Sequence, residues 1–158
     1  MPGRVVILMG SKSDLEHVAK IAARLEAFGI PYVRRVASAH KSVRYLLGIL
    51  EAYAAEERPT VYIAVAGRSN ALAGMVDANT AYPVITSPPV SSAFGGADIF
   101  SSLRMPSGVA PLVILDPEAA ALAAAKILAL SDPELSARVV AYQAELMDAI
   151  VSADESLQ

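Results

Sequence analysis

The chain has 158 residues, a formal net charge of −3, 54% hydrophobic and 18% charged residues, and no cysteine. That length predicts one domain over residues 1–158, able to bury roughly 70% of its unfolded surface. The missing cysteine excludes disulfides, thiolate nucleophiles, zinc ribbons and iron–sulfur ligation, and the acidic balance gives no general attraction to nucleic acid or to an anionic membrane.

In chain order, Val5 to Met9 is a β-branched apolar run that meets Gly10-Ser11, the pattern of a buried parallel strand entering a turn. Leu15, Val18, Ala22, Leu25 and Phe28 recur at helical spacing over Asp14 to Phe28, and Gly29 with Pro31 supplies the stop. The cycle repeats as strand Tyr32 to Ala37, helix Val43 to Glu56 with Val43, Leu46, Leu47, Leu50 and Tyr53 on one face, and strand Thr60 to Ala66. A helix from Asn70 to Ala78, a strand Val84 to Ser87, a short helix Ile99 to Leu103, a strand Leu112 to Leu115 and a helix Pro117 to Leu130 follow. The alternation predicts an α/β fold, a three-layer doubly wound parallel sheet of flavodoxin or Rossmann type, with an extra C-terminal helix beginning at Pro133. Leu135, Val139, Tyr142, Leu146 and Ile150 form one stripe on that last helix, which packs either on a neighbouring subunit or on its own domain. The apolar excess of the composition is read as subunit interface. The N-terminal apolar run is too brief for a signal-peptide core, and Ala119 to Ala125 falls well short of the roughly 20 residues of a membrane span, so a cytoplasmic protein is expected.

Ligands of open α/β sheets bind outside the carboxyl ends of the strands, and here those ends are polar. Gly10-Ser11-Lys12-Ser13-Asp14 follows the first strand, Ser38-Ala39-His40-Lys41 the second, Gly67-Arg68-Ser69-Asn70 the third and Ser87-Pro88-Pro89 the fourth. The first is neither a Walker A loop nor a GxGxxG fingerprint. Gly10 permits a tight turn, the Ser11 and Ser13 hydroxyls and the following helix amides suit a phosphate, and the Asp14 carboxylate suits ribose hydroxyls. Ser11 or Ser13 equally serves as an N-cap. His40 is the catalytic candidate, able to accept a proton near neutral pH, whereas His17, one turn into a helix, is assigned as solvent-exposed and inert. Lys41 and Arg68 bring positive charge for a phosphate or carboxylate, Arg68 alternatively forming an interface ion pair, and Ser69 and Asn70 are candidate caps of the third helix. No set of histidines or paired carboxylates offers a metal site.

Taken together, Met9-Gly10-Ser11-Lys12-Ser13-Asp14, Ser38-Ala39-His40-Lys41, Ala64-Val65-Ala66-Gly67-Arg68-Ser69-Asn70, Asn79-Thr80-Ala81-Tyr82-Pro83-Val84-Ile85 and Ser101-Ser102-Leu103-Arg104-Met105-Pro106-Ser107-Gly108 resemble the aminoimidazole ribonucleotide (AIR) carboxylase family, PurE. The resemblance runs from Val5 to Leu130 and is to the class II branch, which adds carbon dioxide directly. Class I, which rearranges an N-carboxylated isomer, carries Ala-Gly-Gly-Ala-Ala-His where this chain has Gly67-Arg68-Ser69-Asn70, and arginine at Lys41. The resemblance implies that Ser11, Asp14, Ser38 and Lys41 hold the ribose phosphate, that Gly67 and Ser69 border the carboxylation pocket, and that His40 moves the proton. It further implies no metal, ATP or biotin cofactor, partners limited to the small-molecule ribonucleotide, carbon dioxide and copies of the chain in an octamer, and a C-terminal helix packed on a neighbour. The competing readings are the class I mutase and a non-catalytic nucleotide-binding, flavodoxin-like module.

Overall fold

The computed structural model describes residues 1–158. Five strands, β1 (Arg4–Met9), β2 (Tyr32–Val36), β3 (Thr60–Val65), β4 (Val84–Thr86) and β5 (Leu112–Val113), form one parallel sheet in the order β2-β1-β3-β4-β5. The helices are α1 (Leu15–Ala27), α2 (Val43–Ala54), α3 (Ala71–Asp77), α4 (Phe100–Leu103), α5 (Pro117–Ala129) and α6 (Pro133–Glu155). The doubly wound architecture expected from the alternation is the one observed, and no helix is long and apolar enough to cross a membrane.

The central strands show why both sheet faces are dry. Side chains alternate across a strand, so Val5, Ile7 and Met9 of β1 with Val61, Ile63 and Val65 of β3 meet α1, α5 and α6, while Val6, Leu8, Tyr62 and Ala64 meet α2 and α3. Every residue of β1 and β3 is buried, which explains the apolar runs Val5–Met9 and Val61–Val65 that follow the buried polar Arg4 and Thr60. The edge strand β2 alternates only weakly and leaves Val33 and Val36 exposed.

Most predicted boundaries shift by one or two residues. β1 ends at Met9 as expected and the other strands end one or two residues early, yet Gly10 N, Ala37 N, Ser87 N and Ile114 N still donate to the neighbouring strands at 3.0 Å. The site-bearing loops after β1, β2 and β4 therefore leave from residues that remain fixed to the sheet. α1 ends where Gly29 adopts φ +64 and Ile30 N donates to Leu25 O at 2.9 Å, a left-handed stop that returns Ile30 to the core. On α2 the buried face is Leu46, Ile49, Leu50 and Tyr53, so Ile49 takes the place predicted for Leu47. The predicted helix from Ile99 splits into a 3-10 turn (Ala97–Ile99) and the single turn of α4.

α5 buries Ala120, Ala121, Ala124 and Ala125 against the sheet, α1 and α6, the several-sided cover that its near-uniform apolarity predicts. α6 divides between the two expectations for its stripe. Leu135 and Val139 are buried in its own domain, Tyr142 meets Phe28 edge-on at 5.4 Å, and Arg138 Nε donates to Phe28 O at 2.9 Å. From Gln143 onward every residue is exposed, including Leu146, Met147, Ile150 and Val151.

Candidate active site

The strand order reverses between β1 and β3, and there, beyond the carboxyl ends, the loops part around a cavity of about 610 Å³. The β1 loop supplies Gly10, Ser11, Ser13 and Asp14, the β2 loop Ser38 to Lys41, and the β3 loop Ala66 to Ser69. Leu72 of α3 and the segment Pro89, Val90, Ser91 after β4 complete the wall. Of the residues singled out in the sequence, Ser11, Ser13, Asp14, Ser38, His40, Lys41, Gly67, Arg68 and Ser69 all line this cavity.

Asn70 does not line it. It is buried to 2% exposure, its amide nitrogen donates to Thr86 Oγ1 at 2.8 Å and Ser102 Oγ at 2.9 Å, and its oxygen caps α3 through Ala73 N at 3.2 Å. The capping role expected of Asn70 holds, and its other bonds tie the β3 loop to the segment after β4.

Each loop is shaped by its own short polar side chains. After β1, Ser11 Oγ accepts from Ser13 N at 3.2 Å and opens a 3-10 turn over Lys12–Asp14 ahead of α1. Asp14 N donates to Ser11 O and Leu15 N to Lys12 O, which leaves Ser11 and Lys12 as the amides not engaged within the turn. After β2, Ser42 Oγ accepts from Ser38 N at 2.9 Å and donates to Ser38 O at 3.2 Å, while Lys41 N donates to Ser38 Oγ at 3.2 Å. The resulting tight turn puts His40 and Lys41 at its exposed apex.

The β3 loop is held under strain. Arg68 has φ +61, a left-handed conformation costly for a residue with a side chain. Its amide donates to Asp98 Oδ2 at 3.1 Å, and Ser101 Oγ, which donates to Asp98 O at 2.8 Å, accepts from Asn70 N at 3.0 Å. Gly67 is required on steric grounds, since a Cβ there would stand 2.8 Å from Pro89 O. Asp98 and Ser101 support the loop in a way sequence reading missed; Ser101 stood in a segment that carries the family resemblance, and the only signal for Asp98 was its place in a long connection rich in serine and glycine. Val90 and Ser91 were likewise missed, although they directly follow the flagged prolines.

The charges in the cavity are mixed. Burial pushes the Asp14 carboxyl above its ordinary value, against the opposing pull of the Ser11 amide, His17 and Arg68. His17 is not the solvent-exposed residue expected: it is half-buried, with its Nε2 2.9 Å from the fully buried Ser87 Oγ. Burial, reinforced by Lys20, lowers its pKa, which keeps the ring neutral near pH 7. Helical spacing of three residues puts it on the same side of the chain as Asp14, which the sequence did show; its partner 70 residues away it did not.

Comparison with known proteins gives a consistent set of relatives. The family model described as AIR carboxylase matches residues 4–149. A phosphoribosylaminoimidazole carboxylase of Archaeoglobus fulgidus is 56% identical over 98% of this chain and 85% of its own, and one of Treponema denticola is 47% identical over 98% and 97%. The crystal structure of Treponema denticola PurE superposes with a TM-score of 0.96 at 47% identity, covering 99% of each chain.

Proposed function

Because this chain belongs to the AIR carboxylase family, we propose that it carboxylates aminoimidazole ribonucleotide, as a single catalytic domain, with free carbon dioxide as the donor. The activity is that of an AIR carboxylase in purine biosynthesis, acting on a small-molecule ribonucleotide. The observation that carries the site is the convergence of three polar strand-end loops, one of them bearing His40, on a single cavity, while the segment Gly67-Arg68-Ser69-Asn70 and Lys41 support carbon dioxide as the donor.

In this reading the Ser11 and Ser13 hydroxyls, the Ser38 hydroxyl and the Lys41 ammonium hold the phosphate, and the Asp14 carboxylate accepts from the ribose hydroxyls. Arg68 lines the same cavity as a second source of positive charge. Gly67 and Ser69 border the space where carbon dioxide meets the ring, at the point where Pro89 O approaches Gly67 too closely for a Cβ. The ring carbon beside the exocyclic amine is electron-rich and attacks carbon dioxide, forming a carbon–carbon bond while one C=O pair moves onto oxygen as carboxylate. That carbon then carries both hydrogen and carboxylate. A ring nitrogen of His40 takes the proton, and the C–H electron pair restores the aromatic ring, a step typically worth about 100- to 10,000-fold. Holding the two reactants in contact supplies most of the rest.

The reading extends to a homo-oligomer, an octamer by the family resemblance, whose association is supported by the exposed Leu146, Met147, Ile150 and Val151 of α6 and Val33 and Val36 of the edge strand, and to a cytoplasmic location. The test is an assay with aminoimidazole ribonucleotide and isotopically labelled bicarbonate, without ATP. Label in the new carboxylate, with a rate that rises with bicarbonate, is the expected result. Unlabelled product formed at full rate from the N-carboxylated isomer identifies a mutase instead and overturns the assignment of the donor.

A further inference from the structure

We propose that His17 is a positioning residue: through Ser87 it fixes the spacing between the phosphate-binding end of α1 and the segment that walls the cavity after β4, and so sets ribonucleotide affinity. The inference rests on the reading of the cavity as a ribonucleotide site.

His17 lies outside the cavity lining but one turn after Asp14, which lines it. Its Nε2 stands 2.9 Å from Ser87 Oγ, and this is the one side-chain hydrogen bond from α1 to the β4 strand or the segment that follows it. Ser87 is fully buried, and its amide is fixed to the sheet by donation to Ala64 O at 3.0 Å. The only other partner of its hydroxyl is Leu115 O at 3.4 Å, at the outer limit of a hydrogen bond, so His17 is the group that satisfies it. Two prolines follow. Pro88 and Pro89 each lock one backbone dihedral, so a displacement of Ser87 is carried onward to Pro89, Val90 and Ser91 rather than absorbed. Pro89 in turn touches the β3 loop at Gly67. A single half-buried bond from α1 thus links the β1 loop, the β4 segment and the β3 loop, three of the walls on which the substrate would rest. Core packing does not replace it. Val18 and Ile21 anchor α1 to the sheet but place no polar group against the 87–91 segment.

The experiment compares His17→Ala, His17→Gln, Ser87→Ala and the His17→Ala/Ser87→Ala double variant in steady-state carboxylation of aminoimidazole ribonucleotide. His17→Ala and Ser87→Ala should each raise KM for the ribonucleotide by roughly 3- to 10-fold, the worth of one neutral hydrogen bond, with kcat held within about twofold. Gln offers an amide at about the reach of Nε2 and should restore most of the affinity. The double variant should be no worse than the poorer single one, because both singles break the same bond. Unchanged KM in a folded His17→Ala, a fall in kcat instead, or independent effects that multiply in the double variant would each overturn the proposal. If His17→Ala does not fold, Ser87→Ala carries the same comparison. Hydrogen exchange without substrate is read on the same proteins: the amide at position 87, which donates to Ala64 O, and that of Phe94, which donates to Ser91 O, should exchange faster in the Ala variants and at the wild-type rate in His17→Gln. Unchanged exchange overturns the latch whatever the substrate is, whereas faster exchange in a protein inert toward the ribonucleotide overturns the assigned activity and leaves only the mechanical link.

Discussion

At the scale of single residues, Asp14 shows the conflict between stability and binding. Its folded pKa is raised above 3.8 by burial, so its contribution to stability is fully present below that value and is lost as pH rises through the folded value. Near neutral pH the ionised carboxylate therefore destabilises the chain. Asp14→Asn should raise the thermal midpoint at pH 7, with the gain vanishing on acidification below about pH 4, while ribonucleotide affinity falls roughly tenfold or more from the loss of a charged acceptor. Differential scanning across pH and a binding titration check the two halves. His17 has the opposite sign. Its folded pKa lies below 6.5, lowered by burial and Lys20 against Ser87, Asp14 and Asp116, so its contribution is present above 6.5 and lost as pH falls through the folded value. Wild type should thus lose stability relative to His17→Gln as pH drops from 7 toward 5. For the chemistry itself, His40→Asn should bind ribonucleotide normally and lose about 100- to 10,000-fold in kcat, since an amide accepts no proton at neutral pH. Wild-type turnover in a rapid-quench assay would remove His40 from the proton transfer.

Among the elements, what was legible in the sequence follows local pattern, and what was not depends on strand order. The α1 stripe, the Gly29 stop and the unbroken apolar runs of β1 and β3 are written within a few residues of themselves, and the polar strand ends then fall together because parallel strands all point one way. A polar residue after a strand reads the same whether it faces the cavity or the core. Asn70 and Ser69 are neighbours in sequence, yet one is buried among Thr86 and Ser102 and the other lines the cavity, a difference fixed by β4 and α4 lying alongside. Asn70→Ala leaves two buried hydroxyls short of a donor and removes the α3 cap. We expect a loss of about 2–4 kcal/mol in denaturant unfolding, where Ser69→Ala, an exposed change, stays within about 0.5 kcal/mol. Equal losses would show that the network is not what holds the β3 loop.

For the whole molecule, periodicity located the α6 stripe but not the point at which the domain ends beneath it. Leu135 to Tyr142 are seated and Leu146 to Val151 overhang, and a helix of this length spans about 35 Å. Leu146→Asp with Ile150→Asp should leave the sheet and cavity intact while breaking the proposed oligomer, as read by light scattering; an assembly of unchanged size would place any interface elsewhere. The overhang has a further consequence for how the protein responds to dilution. Detached from a surface, a stretch of about a dozen residues is a marginal helix in water. Whatever covers it supplies its order by mass action, so helix content becomes a function of protein concentration. The far-ultraviolet circular dichroism of this chain should then weaken on dilution well before its sheet unfolds, making the last turns of α6 a built-in gauge of assembly.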